Sequence, residues 1–237
     1  KMSKSKGNII DPNFAFDSVG VDAVRLQFCL VAPESEKRFG IKSIGEVVKP
    51  FIDILWNSFV FSEDLLKVKV SGKPKLEKED EWIISRMNST IKIVTEAIEK
   101  HNYHHCTNAL VSFVNEDLSR TYIKLIRDRA AEKDKTVSFV LQTVFENISL
   151  MLAPFAPYLS EEIFYNLGNK ESVHLQSWPK AGKINTELEA QMLLAKEIIQ
   201  GVLFLREKAK INLRWPLKEL IIESKEKDLL KKIKPLK

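Results

Sequence analysis

The sequence predicts a mainly α-helical protein built as an antiparallel helix bundle, and three observations carry that expectation. Apolar residues recur at three- and four-residue steps through most of the chain, the spacing that gathers side chains on one face of a helix. Ile84, Met87, Ile91, Val94 and Ile98 are the plainest case. Glycine is scarce, 8 among 237 residues, which disfavours a sheet of tight hairpins. The connections between periodic segments are short and polar, as between neighbouring antiparallel helices. Near the end, Leu220-Ile221-Ile222 is a short β-like run.

Hydrophobic residues make up 44% and charged residues 29%, an ordinary balance for a chain that buries a core. The net charge of +5 is mildly basic and compatible with a polyanionic partner. The two cysteines, Cys29 and Cys106, sit in apolar helical patterns and read as buried free thiols. Two cysteines build neither a disulfide framework nor a cysteine zinc site. No apolar run approaches the ~20 residues that span a bilayer. A cytoplasmic protein without a membrane partner is expected.

The chain opens on Lys1-Met2-Ser3-Lys4-Ser5-Lys6-Gly7-Asn8. Lysine ammoniums suit phosphate oxygens, serine hydroxyls add donors, and Gly7 lets the backbone approach a ligand. By composition this is a solvated lysine-rich segment; by chemistry it can close on a polyphosphate. Pro12 then ends an extended stretch. Two short helices are expected around Gly20, the second running from Asp22 to about Val31 with Asp22 as its first-turn acid. Arg25 positions the loop or an RNA, or forms a structural ion pair. Ser43 and Glu46 have capping-box spacing. The helix behind them carries Phe51, Leu55 and Phe59, with Pro50 as a kink or a new start. Trp56 and Asn57 lie in its middle and are given a packing role.

Residues 67–78 read as an exposed loop, and Glu79-Asp80-Glu81 place acid in the first turn of the next helix. His101, His104 and His105 beside Cys106 invite a metal reading, but Asn102-Tyr103 looks like an interhelix turn that breaks their register. Polar capping explains them adequately. From Thr107 a helix carries Leu110, Phe113, Val114, Leu118, Tyr122, Leu125 and Ile126 on one face. Its other side carries Arg120, Lys124, Arg127 and Arg129, a basic ridge suited to phosphates or a set of arginines paired with Asp117, Asp128 and Glu132. Further helices are expected over 137–152 and 159–167, the latter closed by Gly168. Ser172–Pro179 reads as an extended strip with His174 and Trp178 packed on the bundle. A last helix runs from Asn185 or Thr186 to near Ala209, followed by Arg214-Trp215 and a basic helix-like tail from Lys225. Arg214 and Trp215 either touch RNA, with stacking from the indole, or line an interdomain elbow.

The order of residues adds a resemblance. Lys1-Met2-Ser3-Lys4-Ser5, followed by Lys6-Gly7-Asn8-Ile9-Ile10-Asp11-Pro12, resembles the ATP loop of class I aminoacyl-tRNA synthetases. Gly20-Val21-Asp22-Ala23-Val24-Arg25 resembles the Gly-x-Asp-Ala-x-Arg segment that trails this loop in isoleucyl, valyl and leucyl members. Residues 152–163 and 172–179 resemble recurring stretches of the group's anticodon-binding bundle. Residues 116–129, Asp-Leu-Ser-Arg-x-Tyr through Arg-Asp-Arg, resemble isoleucyl-tRNA synthetases in particular.

That resemblance implies a class I anticodon-binding bundle with a small partial α/β C-terminal appendage. Residues 1–42 would be the loop and a helical linker, 43–182 the tRNA-binding bundle, and 183–237 a C-terminal helix with the appendage. Lys4 would contact the ATP phosphates as the amino acid carboxylate attacks, with Lys1, Met2, Ser3 and Ser5 shaping the loop. Arg120, Lys124, Arg127 and Arg129 would meet the tRNA, with Arg214 and Trp215 as lesser candidates. In such enzymes the nucleotide fold and its His-Ile-Gly-His motif lie upstream of the loop. The four histidines here, His101, His104, His105 and His174, do not form it. The chain is therefore expected to be a monomeric C-terminal part, inactive by itself. The whole enzyme would adenylate isoleucine with ATP and Mg²⁺, without zinc in this part, and transfer it to tRNA(Ile). A valyl or leucyl enzyme, a non-catalytic RNA-binding module and a plain helical scaffold are the alternatives.

Overall fold

The computed structural model describes Ser5 and residues 9–36, 39–68 and 70–222. The chain divides into two compact units, Lys1–Lys183 and Ile184–Lys237.

Two short helices open the first unit. Helix α1 (Pro12–Val19) begins where Pro12 presets a helical φ, and the Asp11 carboxylate accepts the N–H groups of Asn13 (2.8 Å) and Phe14 (3.2 Å). Gly20, at φ 85°, turns the chain into α2 (Val21–Leu30), which buries Ala23, Val24 and Leu26. Helix α3 (Ile41–Val47) starts from Gly40. The capping box expected of Ser43 and Glu46 does not form, because both residues already lie within the helix. Helix α4 (Lys49–Leu66) restarts with Pro50 in its first turn, where a missing N–H costs nothing. Its buried face carries Phe51, Leu55 and Phe59. Asn57 is exposed, and Trp56, its ring 5.7 Å from that of Phe59, lies at the margin of that face, 37% exposed rather than packed inside.

Helix α5 (Lys78–Glu99) opens on a capping box between Glu77 and Asp80 and buries Trp82, Ile83, Met87, Ile91 and Val94. The chain doubles back at His101, whose φ is 56°, and Asn102, whose side chain accepts the His105 N–H at 3.2 Å. Helix α6 (Tyr103–Ser112) thus begins earlier than the expected Thr107. From Phe113 to Tyr122 the chain winds as a π-helix, then passes into α7 (Ile123–Leu125) and α8 (Arg127–Ala131). The wider winding shifts the register. Ile123 and Ile126 turn inward, while Leu125, expected on the buried face, is 52% exposed.

Helix α9 (Lys135–Leu152) is capped by Asp134, and α10 (Pro157–Asn166) runs out into Gly168 at φ 93°. Helices α4, α5, α9 and the π-helix share one core containing Trp82, Phe113, Leu118, Tyr122 and Phe145. Phe59 and Phe145 meet edge to face at 5.3 Å within it. This is the expected helix bundle, and α1–α3 belong to the same compact unit.

The strip after α10 is extended apart from one 3₁₀ turn, Val173–Leu175. Glu161 holds it by accepting from the Ser172 hydroxyl (3.0 Å) and the Val173 N–H (2.9 Å). Farther on, the Trp178 indole N–H donates to Thr95 Oγ1 (2.8 Å). Asn88 pairs with the Gly182 N–H (2.9 Å) and the Lys183 carbonyl (3.0 Å). Trp178 packs as expected. His174 does not: in the single turn Val173 faces the core and His174 stands exposed.

In the second unit, α11 (Thr186–Lys208) is capped by the Asn185 side chain, 3.1 Å from the Leu188 N–H. Residues 209–222 are neither helix nor strand. Leu220–Ile222 therefore do not form the expected strand: a ladder needs a partner, and none of the described residues supplies one. The tail from Lys225, expected to be helix-like, lies outside the described residues.

Candidate nucleic-acid interface

The basic stretch 116–129 divides by face, and the division separates architecture from available charge. Arg129 lies inside, its side chain 17% exposed, with every guanidinium nitrogen engaged by acid. Its Nη2 donates to Asp80 Oδ2 (2.9 Å), its Nη1 to Glu79 Oε1 (2.8 Å), and its Nε to Asp134 Oδ2 (2.9 Å). Glu77 adds a fourth carboxylate at 3.4 Å. Asp80 is fully buried and also accepts from the Tyr122 hydroxyl at 2.7 Å and the Glu77 N–H at 3.1 Å. One arginine thus joins the start of α5, the π-helix, α8 and the start of α9.

The electrostatics follow from that packing. Burial works against the Arg129 charge, but the hydrogen bonds and charges of Asp80 and Asp134 outweigh it and hold the guanidinium firmly protonated. Burial and then the Asp80 charge push the Tyr122 phenol far up, so it acts only as a neutral donor. Burial raises the Asp134 carboxyl, yet Arg129 and the Thr136 N–H more than reverse this and hold it below the usual range. A guanidinium committed to four acids has no fork left for a phosphate. Arg129, expected among the RNA contacts, serves here as a structural tie.

Arg120, Lys124 and Arg127 lie on the outside, all exposed. Arg120 reaches Glu116 at 2.6 Å, a solvent-facing i,i+4 pair that a phosphate can displace at small cost. Lys124 and Arg127 have no ion-pair partner among the described residues. These three cations follow one another from the π-helix through α7 to α8. Asp117, in the same stretch, turns inward to Arg86 at 3.0 Å.

Arg214 and Trp215 belong to the second unit, in a turn that Arg206 closes by donating to the carbonyls of Asn212 and Trp215, both at 2.6 Å. Trp215 is 64% exposed. Lys1, Met2, Ser3 and Lys4 lie outside the described residues, and Ser5 is exposed. The His101 and His105 rings belong to different elements, either side of the Asn102 cap. Among the described residues no group of three or more His, Cys, Asp or Glu could hold a metal ion. Likewise none of their helices is long and apolar enough to cross a membrane.

Sequence reasoning missed two features. One is Trp56 as a partly exposed aromatic, 37% exposed although its ring lies 5.7 Å from that of Phe59. The other is the Asp80–Tyr122–Arg129 tie, whose members stand too far apart in the chain for any local pattern.

Comparison with known proteins bears on the same surfaces. The family profile described as the anticodon-binding domain of tRNA ligase matches residues 80–222, from the acidic start of α5 to the end of the described chain. Isoleucine–tRNA ligase of Methanosarcina barkeri is 36% identical over 260 residues, covering 100% of this chain and 24% of that protein. The Pyrococcus abyssi isoleucine–tRNA ligase is 37% identical, with the same coverage. That of Thermococcus kodakarensis is 37% identical over 98% of this chain. The chain spans about a quarter of the length of these curated relatives, 24% in each case. Among solved structures, the ternary complex of Agrobacterium radiobacter K84 agnB2 LeuRS with tRNA and LeuAMS matches with a TM-score of 0.61 and 23% identity. That match covers 80% of this chain and 23% of the other, and concerns the fold. With an open cationic ridge set on a bundle of this architecture, and a profile match across most of that bundle, the chain belongs to the anticodon-binding domain family of tRNA ligases.

Proposed function

We propose that this chain is the tRNA-holding part of an isoleucine–tRNA ligase of the cytoplasm. The observation that carries the reading is identity of 36–37% to isoleucine–tRNA ligases along essentially the whole chain. In that reading residues 1–42 link the bundle, 43–182, to a catalytic domain of the same polypeptide, and 183–237 form an appendage. This part is monomeric, and the whole protein acts on ATP, isoleucine and tRNA(Ile). The isoleucine carboxylate attacks the α-phosphate of ATP and pyrophosphate leaves; the terminal ribose hydroxyl of the tRNA then takes the aminoacyl group and AMP leaves.

Lys4 places a positive charge against the phosphates as negative charge builds there, with Lys1, Met2, Ser3 and Ser5 shaping the loop. Mg²⁺ would be supplied with ATP at the catalytic domain, and no residue of this chain is assigned to it. Arg120, Lys124 and Arg127 hold the tRNA backbone, and Arg214 with Trp215 adds a stacking contact.

The test is aminoacylation by the full-length protein with isoleucine, valine and leucine in parallel. Isoleucine should be charged at least about 100-fold more efficiently than valine, the scale on which one methylene is discriminated. Preferential charging of valine or leucine would overturn the reading. In the same protein Lys4→Ala should slow adenylation about 100-fold or more, and an unchanged rate would remove Lys4 from the chemistry.

A further inference from the structure

The strip of chain that leaves α10 is tied along one flank of α5. Asn88 and Thr95 stand seven residues apart on that helix and so share a face. Thr95 Oγ1 accepts the Trp178 indole N–H at 2.8 Å. Asn88 uses both ends of its amide: Oδ1 accepts the Gly182 N–H (2.9 Å) and Nδ2 donates to the Lys183 carbonyl (3.0 Å). The order of these contacts gives a direction. As the strip advances from Trp178 to Gly182 it runs back along α5 from Thr95 to Asn88, toward the end where Asp80 holds Arg129. Asn88 is eight residues from Asp80, a rise of about 12 Å along the helix axis.

Two features make the Asn88 pair a clamp rather than a passing contact. It grips backbone groups of successive residues, and it needs glycine at one of them. A Cβ at residue 182 would stand 3.2 Å from Asn88 Nδ2 and 3.3 Å from Oδ1, too close for the amide to keep both partners. Its place in the chain is the second feature. Lys183 is the last residue of the first compact unit, and the Asn185 side chain already caps α11. With the clamp closed, Ile184 alone lies between the two. With it open, the preceding tie is that of Trp178 and the buried Pro179, and residues 180–184 can span about 17 Å.

We propose that Asn88 is a positioning residue for RNA binding: with Gly182 it fixes the point from which the second unit leaves the bundle, so that the turn of Arg214 and Trp215 and the ridge of Arg120, Lys124 and Arg127 act together on one tRNA. The gain requires no contact between Asn88 and RNA. A short, fixed connection raises the effective concentration of the second set of contacts once the first is bound, and slack lowers it. The inference deepens the isoleucine–tRNA ligase reading and rests on it.

The test uses the full-length protein and filter binding of tRNA(Ile) at fixed salt, with isoleucine charging by the wild type measured alongside. Asn88→Ala removes the clamp and Gly182→Ala displaces it. Asn88→Asp keeps the acceptor for the Gly182 N–H and loses the donor to Lys183. Each is read in the wild-type background and again with Arg214→Ala and Trp215→Ala. In the wild-type background the two alanine variants should raise Kd about tenfold, and Asn88→Asp should raise it less. In the second background the same changes should move Kd by less than about twofold, because the clamp then has nothing to present. Unchanged Kd in the wild-type background would overturn the proposal. An equal loss in both backgrounds would do the same, since a strip that merely supports the bundle acts alike in each. So would wild-type affinity in the protein lacking Arg214 and Trp215, which would leave no second set of contacts. A wild type that charges no isoleucine would sink the functional reading, and the clamp with it. A wild type that charges isoleucine, with clamp variants that bind as it does, would sink the clamp alone.

Discussion

Arg129 and its neighbour Arg127 stand two residues apart in one motif and have opposite surroundings. Arg129 is enclosed by Asp80, Glu79, Asp134 and Glu77; Arg127 faces water. Removing the enclosed cation leaves Asp80 buried with only the Tyr122 hydroxyl and one backbone N–H as partners. Arg129→Ala should therefore cost about 3–5 kcal/mol, read as a lowered urea midpoint at unchanged slope. Arg129→Lys keeps the charge but loses the fork, and should recover only part of that. Arg127→Ala should stay within about 0.5 kcal/mol of wild type. Equal losses at the two positions would contradict the division by face.

The elements meeting at Arg129 make the start of α9 sensitive to acid. Asp134 caps that helix at Thr136 (2.6 Å) and pairs with Arg129, so its carboxyl is held below its usual range. A depressed pKa means the stabilisation is complete above the unfolded value of about 4 and is lost as pH falls through the folded value. Asp134→Asn should thus be less stable than wild type near neutrality, with the gap closing as pH drops below about 4. A gap in urea midpoint that stays constant across the range would refute the linkage. The π-helix is the other element with a consequence: by moving Leu125 out and Ile123 in, it sets which side of the basic stretch meets solvent.

On the scale of the molecule, exposed cations on a bundle of this family should bind tRNA with strong salt dependence. If Arg120, Lys124 and Arg127 each neutralise one phosphate, the logarithm of affinity should fall against the logarithm of salt with a slope of about −2 to −3. Lys124→Ala and Arg127→Ala should each reduce that slope by about 1, whereas removing a cation outside the interface should not. Filter binding over a salt series reads this directly. Undetectable or salt-insensitive binding would favour a helical scaffold.

The helical class, the buried stripe of α5, the turn at His101-Asn102 and the resemblance of residues 116–129 were all legible in the amino-acid order. Each depends on residues a few positions apart, and helical periodicity and capping are local effects. The exposure of Trp56 and Leu125, the burial of Arg129 and the pairing of Asn88 with Gly182 were not legible. Arg129 and Asp80 are 49 residues apart, and Asn88 and Gly182 are 94 apart. Local pattern names the charges on a helix. Only the packing of distant segments decides which of them lose water and must pair with one another, and which stay solvated and open to an RNA, because desolvation is a property of the assembled surroundings.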